Sequence, residues 1–259
     1  MTRTTTAPNL DSGFISRSHR AIAPFGLHRP ETIDEAAALL ADGAIAHAGG
    51  IDVVSSLRLG AAANNVVDLS RVSELDRLEV VDELLIIGAT VKHATIETDP
   101  QVLAVHPDLA QAWQTVGNVR IRRTGTIGGN LMAFHPEYDA APILAAADAT
   151  LVFLTADGSE LKTSVADRPR RGLLVRCEIP LAGRVVFDRT LKPVVTVAVG
   201  DHTIAVGCAH TEPVVRRRSD VFEVPEPIDD ANASKEYRKR MIDLLIERGI
   251  ERHREVTSG

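Results

Sequence analysis

Two short segments carry residue types that could do chemistry: AHAGGID, residues 46–52, and TIGGN, residues 126–130. Each sets a glycine pair, Gly49–Gly50 and Gly128–Gly129, after an apolar or β-prone run, and the first precedes a helical pattern. Glycine lacks a Cβ and accepts positive φ, so successive backbone N–H groups can converge on an anion that a side chain would block. A helix start adds unpaired donors and the positive end of a dipole, which suits a pyrophosphate. One glycine pair alone reads most simply as a tight turn; two with the same flanks weaken that reading. Neither GxGxxG nor GxxxxGK[ST] occurs, so the two commonest phosphate loops are excluded.

Other chemistry is sparse. Asp139, in EYDAAPIL, is either an acceptor for a ligand's hydroxyl or amide hydrogens or a charge favoured at a helix N-terminus. Arg120, Arg122 and Arg123 can neutralise phosphate; in a strand-like alternation Arg120 and Arg122 share a face, and at least one of the three reads as solvated. His47 reads as a satisfied surface histidine, while His135 and Tyr138, flanking Asp139, either face the ring of a bound cofactor or stand in a plain loop set by Pro136, and both readings stay open. No paired carboxylates and no Ser-His-Asp pattern are in view. The two cysteines, Cys177 and Cys208, are far apart and form no metal-type spacing. The chain is therefore expected to hold no iron-sulfur or zinc site of its own and to be a reduced cytoplasmic protein.

The elements that must position these residues follow from patterning. A length of 259 residues, at about 150 per domain, favours two domains. Hydrophobic residues at 44% and charged residues at 25% are ordinary for a globular chain, and a net charge of −6 argues against a nucleic-acid-binding surface covering the whole protein, with a local basic patch left open. The Thr-rich start lacks the apolar stretch of a signal peptide, and no run of about 18 apolar residues suggests a membrane span.

After the arm, RPETIDEAAALLADG predicts a helix with Thr32 and Glu35 at capping-box spacing and Gly43 as its stop. AIAHA and NNVVDLS predict short strands flanking a helix in IDVVSSLRL. RLEVVDELLIIGAT predicts a hairpin turning at Asp82–Glu83. Helices are expected from Thr90, from HPDLAQAWQTVGN with its end at Gly117–Asn118, and in EYDAAPILAAADA. TLVFLTADGSELKTSV predicts a hairpin at Asp157–Gly158. Beyond residue 183 come the strands RVVFDRT, VVTVAVG and HTIAVGCA, a charged connection over 211–233, and a last helix near Ser234.

AHAGGIDVVSSLRLG, VGNVRIRRTGTIGGNLM and HPEYDAAPILAAADATLVF, in this order, resemble the flavin-binding medium subunit of molybdenum hydroxylases, the carbon monoxide dehydrogenase and xanthine dehydrogenase family. The likeness runs from about Phe25 to the last helix. It implies an α+β fold: a two-subdomain FAD-binding domain of the vanillyl-alcohol-oxidase type over 23–182 (subdomains 23–76 and 77–182), preceded by an arm over 1–22. A small α+β C-terminal domain over 183–259, with an antiparallel sheet and a terminal helix, follows.

The resemblance further implies that Ala46, His47, Ala48, Gly49, Gly50, Ile51, Asp52 and Val53 form the first FAD loop. Thr126, Ile127, Gly128, Gly129 and Asn130 would form the second, with a hydroxyl and an amide for phosphate or ribityl oxygens and glycine N–H donors. Asp139 matches the acidic residue that hydrogen-bonds the cofactor, and Leu174 an apolar flavin contact. Arg189 stands where the family commonly has a lysine, which keeps the charge and changes the geometry. The chain is shorter than the family pattern at 182–197 and 213–228.

The implied role is an electron-transfer subunit of a heterotrimer. It would bind FAD noncovalently, take electrons from a [2Fe–2S] small subunit and pass them to NAD, a quinone or oxygen. Hydroxylation of an N-heterocycle, an aldehyde or carbon monoxide would occur on a large molybdopterin subunit. Two alternatives stand beside this: a self-contained FAD oxidase or dehydrogenase of the same fold, and a flavin-less interaction subunit.

Overall fold

The computed structural model describes residues 22–155, 157–220 and 223–258; apart from Ile22, the expected N-terminal arm lies outside them. The chain begins with β1 (Gly26–His28), α1 (Ile33–Ala41), β2 (Ile45–His47), α2 (Ile51–Arg58) and β3 (Asn65–Asp68). The three strands form a parallel sheet in the order β1-β3-β2. The Thr32 hydroxyl caps α1 by accepting from the Glu35 amide at 3.3 Å. Glu35 reaches back to the Glu31 amide at 3.1 Å, one residue beyond the cap that a capping box would serve.

The expected hairpin is β4 (Leu78–Val81) and β5 (Leu84–Gly88). Asp82 and Glu83 both take positive φ, 49° and 63°, as a two-residue turn matched to strand twist requires. Six helices follow: α3 (His93–Thr98), α4 (Pro100–Val105), α5 (Pro107–Trp113), α6 (Val119–Thr124), α7 (Ile127–Met132) and α8 (Ala140–Ala146). Then come β6 (Thr150–Leu154), β7 (Glu160–Ser164) and β8 (Leu173–Pro180), completing an antiparallel sheet in the order β4-β5-β8-β6-β7.

Three expectations in this region change. Helix α3 starts at His93, not Thr90. The Asp99 side chain caps a separate α4 by accepting from the Gln101 amide at 2.8 Å. VRIRR is helical, so Arg120 and Arg122 do not share a strand face. Asn118 ends one helix region and caps α6, its Oδ1 accepting from the Arg120 and Ile121 amides at 2.9 and 3.1 Å.

The last part of the chain is β9 (Val185–Arg189), β10 (Thr196–Gly200), β11 (Thr203–Gly207), β12 (Val214–Arg217) and α9 (Lys235–Ser258). The four strands are antiparallel in the order β12-β11-β10-β9, and β12 lies in the stretch expected to be a plain connection. Strands β10 and β11 are buried at every residue because both sheet faces are covered. Val197, Val199, Ile204 and Val206 pack with Ile242 and Leu245 of α9. Ala198 and Ala205, on the alternate positions, join the larger core that contains α8. Small residues permit that close approach: a Cβ at Gly200 would stand 1.7 Å from the Ala146 carbonyl oxygen. The sheet, α8 and α9 thus form one block behind the glycine segments. Among the described residues, no helix is long and apolar enough to cross a membrane.

Candidate functional site

A cleft of about 260 Å³ opens where the β2–α2 loop faces the starts of α7 and α8. Its walls include Ala48 to Val53, Thr126, Gly129, Asn130 and Asp139, so residues up to 91 positions apart in sequence meet in one space. Pro193, from the β9–β10 connection, adds to the rim. Ala46 and His47 close β2 just before the cleft, and the His47 ring lies 3.7 Å from Asp68. Ile127 and Gly128 are buried in α7 behind the wall. Leu174 is not brought to this cleft: it sits in β8 opposite Phe153, within the core.

The first glycine loop has the features of an anion cradle. Gly50 caps α2 with φ of 73°, a left-handed conformation that favours glycine. A Cβ at Gly49 would stand 2.2 Å from the Thr124 carbonyl oxygen, so this glycine is required by the approach of the loop to the end of α6. Among the described residues no hydrogen-bond acceptor faces the amides of Gly49, Gly50, Ile51, Asp52 and Val53. These donors end at the positive pole of α2 and border the cleft.

The second loop differs, and the donor role expected for its glycines is corrected. Ile127 donates to the Val91 carbonyl at 3.0 Å and Gly128 to the Ala89 carbonyl at 2.8 Å. Gly129 donates to the Thr126 hydroxyl at 3.1 Å, and Asn130 to the Thr126 carbonyl at 3.0 Å. TIGGN is a capped helix start whose amides from Ile127 to Asn130 are consumed inside the protein. Gly128 is small for packing: a Cβ there would meet the Ala89 oxygen at 2.7 Å. What this segment offers the cleft is side-chain chemistry, since Asn130 Oδ1 is buried and has no hydrogen-bond partner among the described residues.

Asp139 is the second such acceptor. It occupies the cap position of α8, yet its carboxylate caps no amide of that helix, and Oδ1 is buried with no hydrogen-bond partner among the described residues. Burial raises its pKa to about 7 against the pull of Arg189, whose Nη1 lies 3.7 Å from Oδ2. Arg189 therefore does stand beside the site, with its charge directed at Asp139. Of the α6 arginines, Arg122 pairs with Glu97 at 2.7 Å, while Arg120 and Arg123 are exposed.

Two wall residues had no role in the sequence pattern. His93 is brought to the cleft by a bridge pairing its neighbour Lys92 with Thr126. Its Nδ1 accepts from the buried Trp113 indole N–H at 3.1 Å, which places the ring proton on Nε2. Burial, reinforced by Arg122, lowers its pKa to about 4, so it is a neutral wall at physiological pH. Tyr138, open in the sequence reading, lines the cleft and donates its hydroxyl to Asp52 Oδ1 at 2.5 Å. Its position two residues after Pro136 gave a turn signal and nothing about Asp52. Among the described residues, no cluster of His, Cys, Asp or Glu is arranged to hold a metal ion.

Comparison with known proteins gives a consistent result. The family described as "FAD binding domain in molybdopterin dehydrogenase" matches residues 23–167. The caffeine dehydrogenase subunit beta of Pseudomonas sp. (strain CBB1) is 29% identical over 132 residues, 49% of this chain and 45% of that protein. The carbon monoxide dehydrogenase medium chain of Hydrogenophaga pseudoflava is 24% identical over 274 aligned positions, covering 87% of this chain and 96% of that one. In fold, a chain of quinoline 2-oxidoreductase from Pseudomonas putida 86 superposes with a TM-score of 0.80 at 23% identity, covering 90% of this chain and 98% of that chain.

Proposed function

Because the chain belongs to the family of FAD-binding domains in molybdopterin dehydrogenases, we propose that it is the FAD-carrying medium subunit of a molybdenum hydroxylase, relaying electrons between partner subunits and an external acceptor. The observation that carries this reading is that, among the described residues, the amides from Gly49 to Val53 have no acceptor and share a cleft with two buried, unpartnered acceptors, Asn130 Oδ1 and Asp139 Oδ1. That donor set fits a dinucleotide. The amides at the α2 start take the pyrophosphate. Asn130 and Asp139 accept from hydroxyl or imide hydrogens, and Asp139, titrating near neutrality, can also hold a proton at Oδ1. His93, neutral and anchored by Trp113, adds a wall without charge.

Bound FAD supplies the electron chemistry, while the protein supplies binding, orientation and electrostatics. On this reading a [2Fe–2S] small subunit delivers electrons and a molybdopterin large subunit hydroxylates an N-heterocycle, an aldehyde or carbon monoxide. NAD, a quinone or oxygen then accepts the electrons in the cytoplasm.

Purification of the native complex under mild conditions tests this directly. Co-purifying small and large subunits, with flavin, iron, molybdenum and pterin all present, are expected. Strong oxidation of an organic substrate by the isolated chain would instead support a self-contained oxidase. A folded chain that stays colourless with added FAD would support a flavin-less interaction subunit.

A further inference from the structure

Residues 134–138, between α7 and α8, are fixed at one end by contacts that FAD binding does not require. Phe134 takes φ of 50°, a left-handed conformation unfavourable for an aromatic residue. Two guanidinium groups hold its ring, Arg168 at 4.4 Å and Arg170 at 4.7 Å from the centroid. Arg168 is itself buried and donates to the Leu131 and Val165 carbonyls at 3.1 and 2.7 Å. Two residues on, the Pro136 carbonyl accepts from the Cys208 amide at 3.1 Å, joining the segment to the end of β11.

The other end reaches across the cleft. His135 and Tyr138 stack with centroids 4.8 Å apart, and the Tyr138 amide donates to the His135 carbonyl at 3.1 Å. This turn aims the Tyr138 hydroxyl at Asp52, 86 residues earlier, on the first turn of α2. Asp52 lines the cleft with the rest of its loop, and its carboxylate faces a tyrosine from the opposite wall. Both residues line the cleft, so a dinucleotide passing between the walls requires them to part.

We infer that residues 134–138 form a strap across the cleft, anchored at Phe134 and fastened by the Tyr138–Asp52 hydrogen bond, that controls how fast FAD enters and leaves. This rests on reading the cleft as the FAD site. A hydrogen bond to a carboxylate is among the stronger ones, and breaking it belongs to the barrier for release. The strap thereby retains the cofactor without a covalent link.

The test is the rate of FAD release from the full chain, followed by recovery of flavin fluorescence on dilution, for wild type, Tyr138→Phe, Asp52→Asn and the double variant. Loss of the bond in Tyr138→Phe is expected to speed release about tenfold. Asp52→Asn keeps a neutral acceptor and should accelerate release less. The double variant should match Tyr138→Phe, because the asparagine then has no partner. Unchanged release in Tyr138→Phe overturns the strap, as does an Asp52→Asn effect that adds in full to it, since independent contacts with FAD would add. If Tyr138→Phe folds poorly, Asp52→Asn and Asp52→Ser carry the same comparison, and wild-type release rates in both overturn the strap. A wild-type chain that binds no FAD overturns the cofactor reading as well; one that binds it with unaltered kinetics in the variants overturns the strap alone.

Discussion

Two glycine pairs of the same pattern behave differently in this protein. At Gly49–Gly50 the chain enters an eight-residue helix with a left-handed cap, and five successive amides have no acceptor among the described residues. At Gly128–Gly129 the chain enters a six-residue helix whose amides are taken by Val91, Ala89 and Thr126. The first pair exposes donors, and the second permits close packing against β5's end. A GG dipeptide therefore reports that backbone comes near something; the neighbour decides whether that is a ligand or another strand.

The largest expected effect that would break this comparison is at Gly49. Gly49→Val sets a side chain against the Thr124 carbonyl and displaces the free amides. FAD occupancy, read as flavin absorbance retained after gel filtration, is expected to fall close to zero; full occupancy would remove the first loop from the site. Gly128→Val acts on packing: it should lower stability by about 3 kcal/mol in denaturant titrations, while the folded fraction still takes up FAD. Flavin loss at unchanged stability would reverse the roles of the two loops.

Asp139→Asn sharpens the contribution of the second wall. Asp139 has a native pKa of about 7 against an ordinary 3.8. The native state keeps a proton that the unfolded chain loses, so stability falls as pH rises between these values. In the flavin-free chain, Asp139→Asn should flatten that fall and exceed wild type by on the order of 2 kcal/mol above neutrality. Parallel stability-pH curves for the two proteins would count against burial of the Asp139 carboxyl as the source of its raised pKa. The smallest effect is expected at Thr126→Ala, which removes the cap on Gly129 and should reduce stability by about 1 kcal/mol by thermal melting.

Much of the fold was legible because its elements are local. The α1 cap, the Asp82–Glu83 turn and the valine-rich strands β9 to β11 each follow from neighbouring residues. The readings that changed lie where short segments balance between states. VRIRR has strand-like alternation, yet Asn118 caps it into a helix. β12 has a strand's residues in a charged stretch and forms because β11 offers an edge. Leu174 has the sequence position of a flavin contact, and the order of strands in the larger sheet sets it opposite Phe153 in the core.

The sequence by itself determined which residues could meet an anion and where most of the local caps and turns fall, such as the Thr32 cap and the Asp82–Glu83 turn. Tertiary structure decided which amides stayed free, since a donor is satisfied by whatever carbonyl lies 3 Å away, and the Ala89 and Val91 carbonyls come from 36 to 39 residues earlier. It also decided that the Oδ1 atoms of Asn130 and Asp139 are buried without a hydrogen-bond partner among the described residues, and that Tyr138 meets Asp52 across the cleft. Burial and long-range pairing depend on how the layers stack, and no window of sequence contains that information.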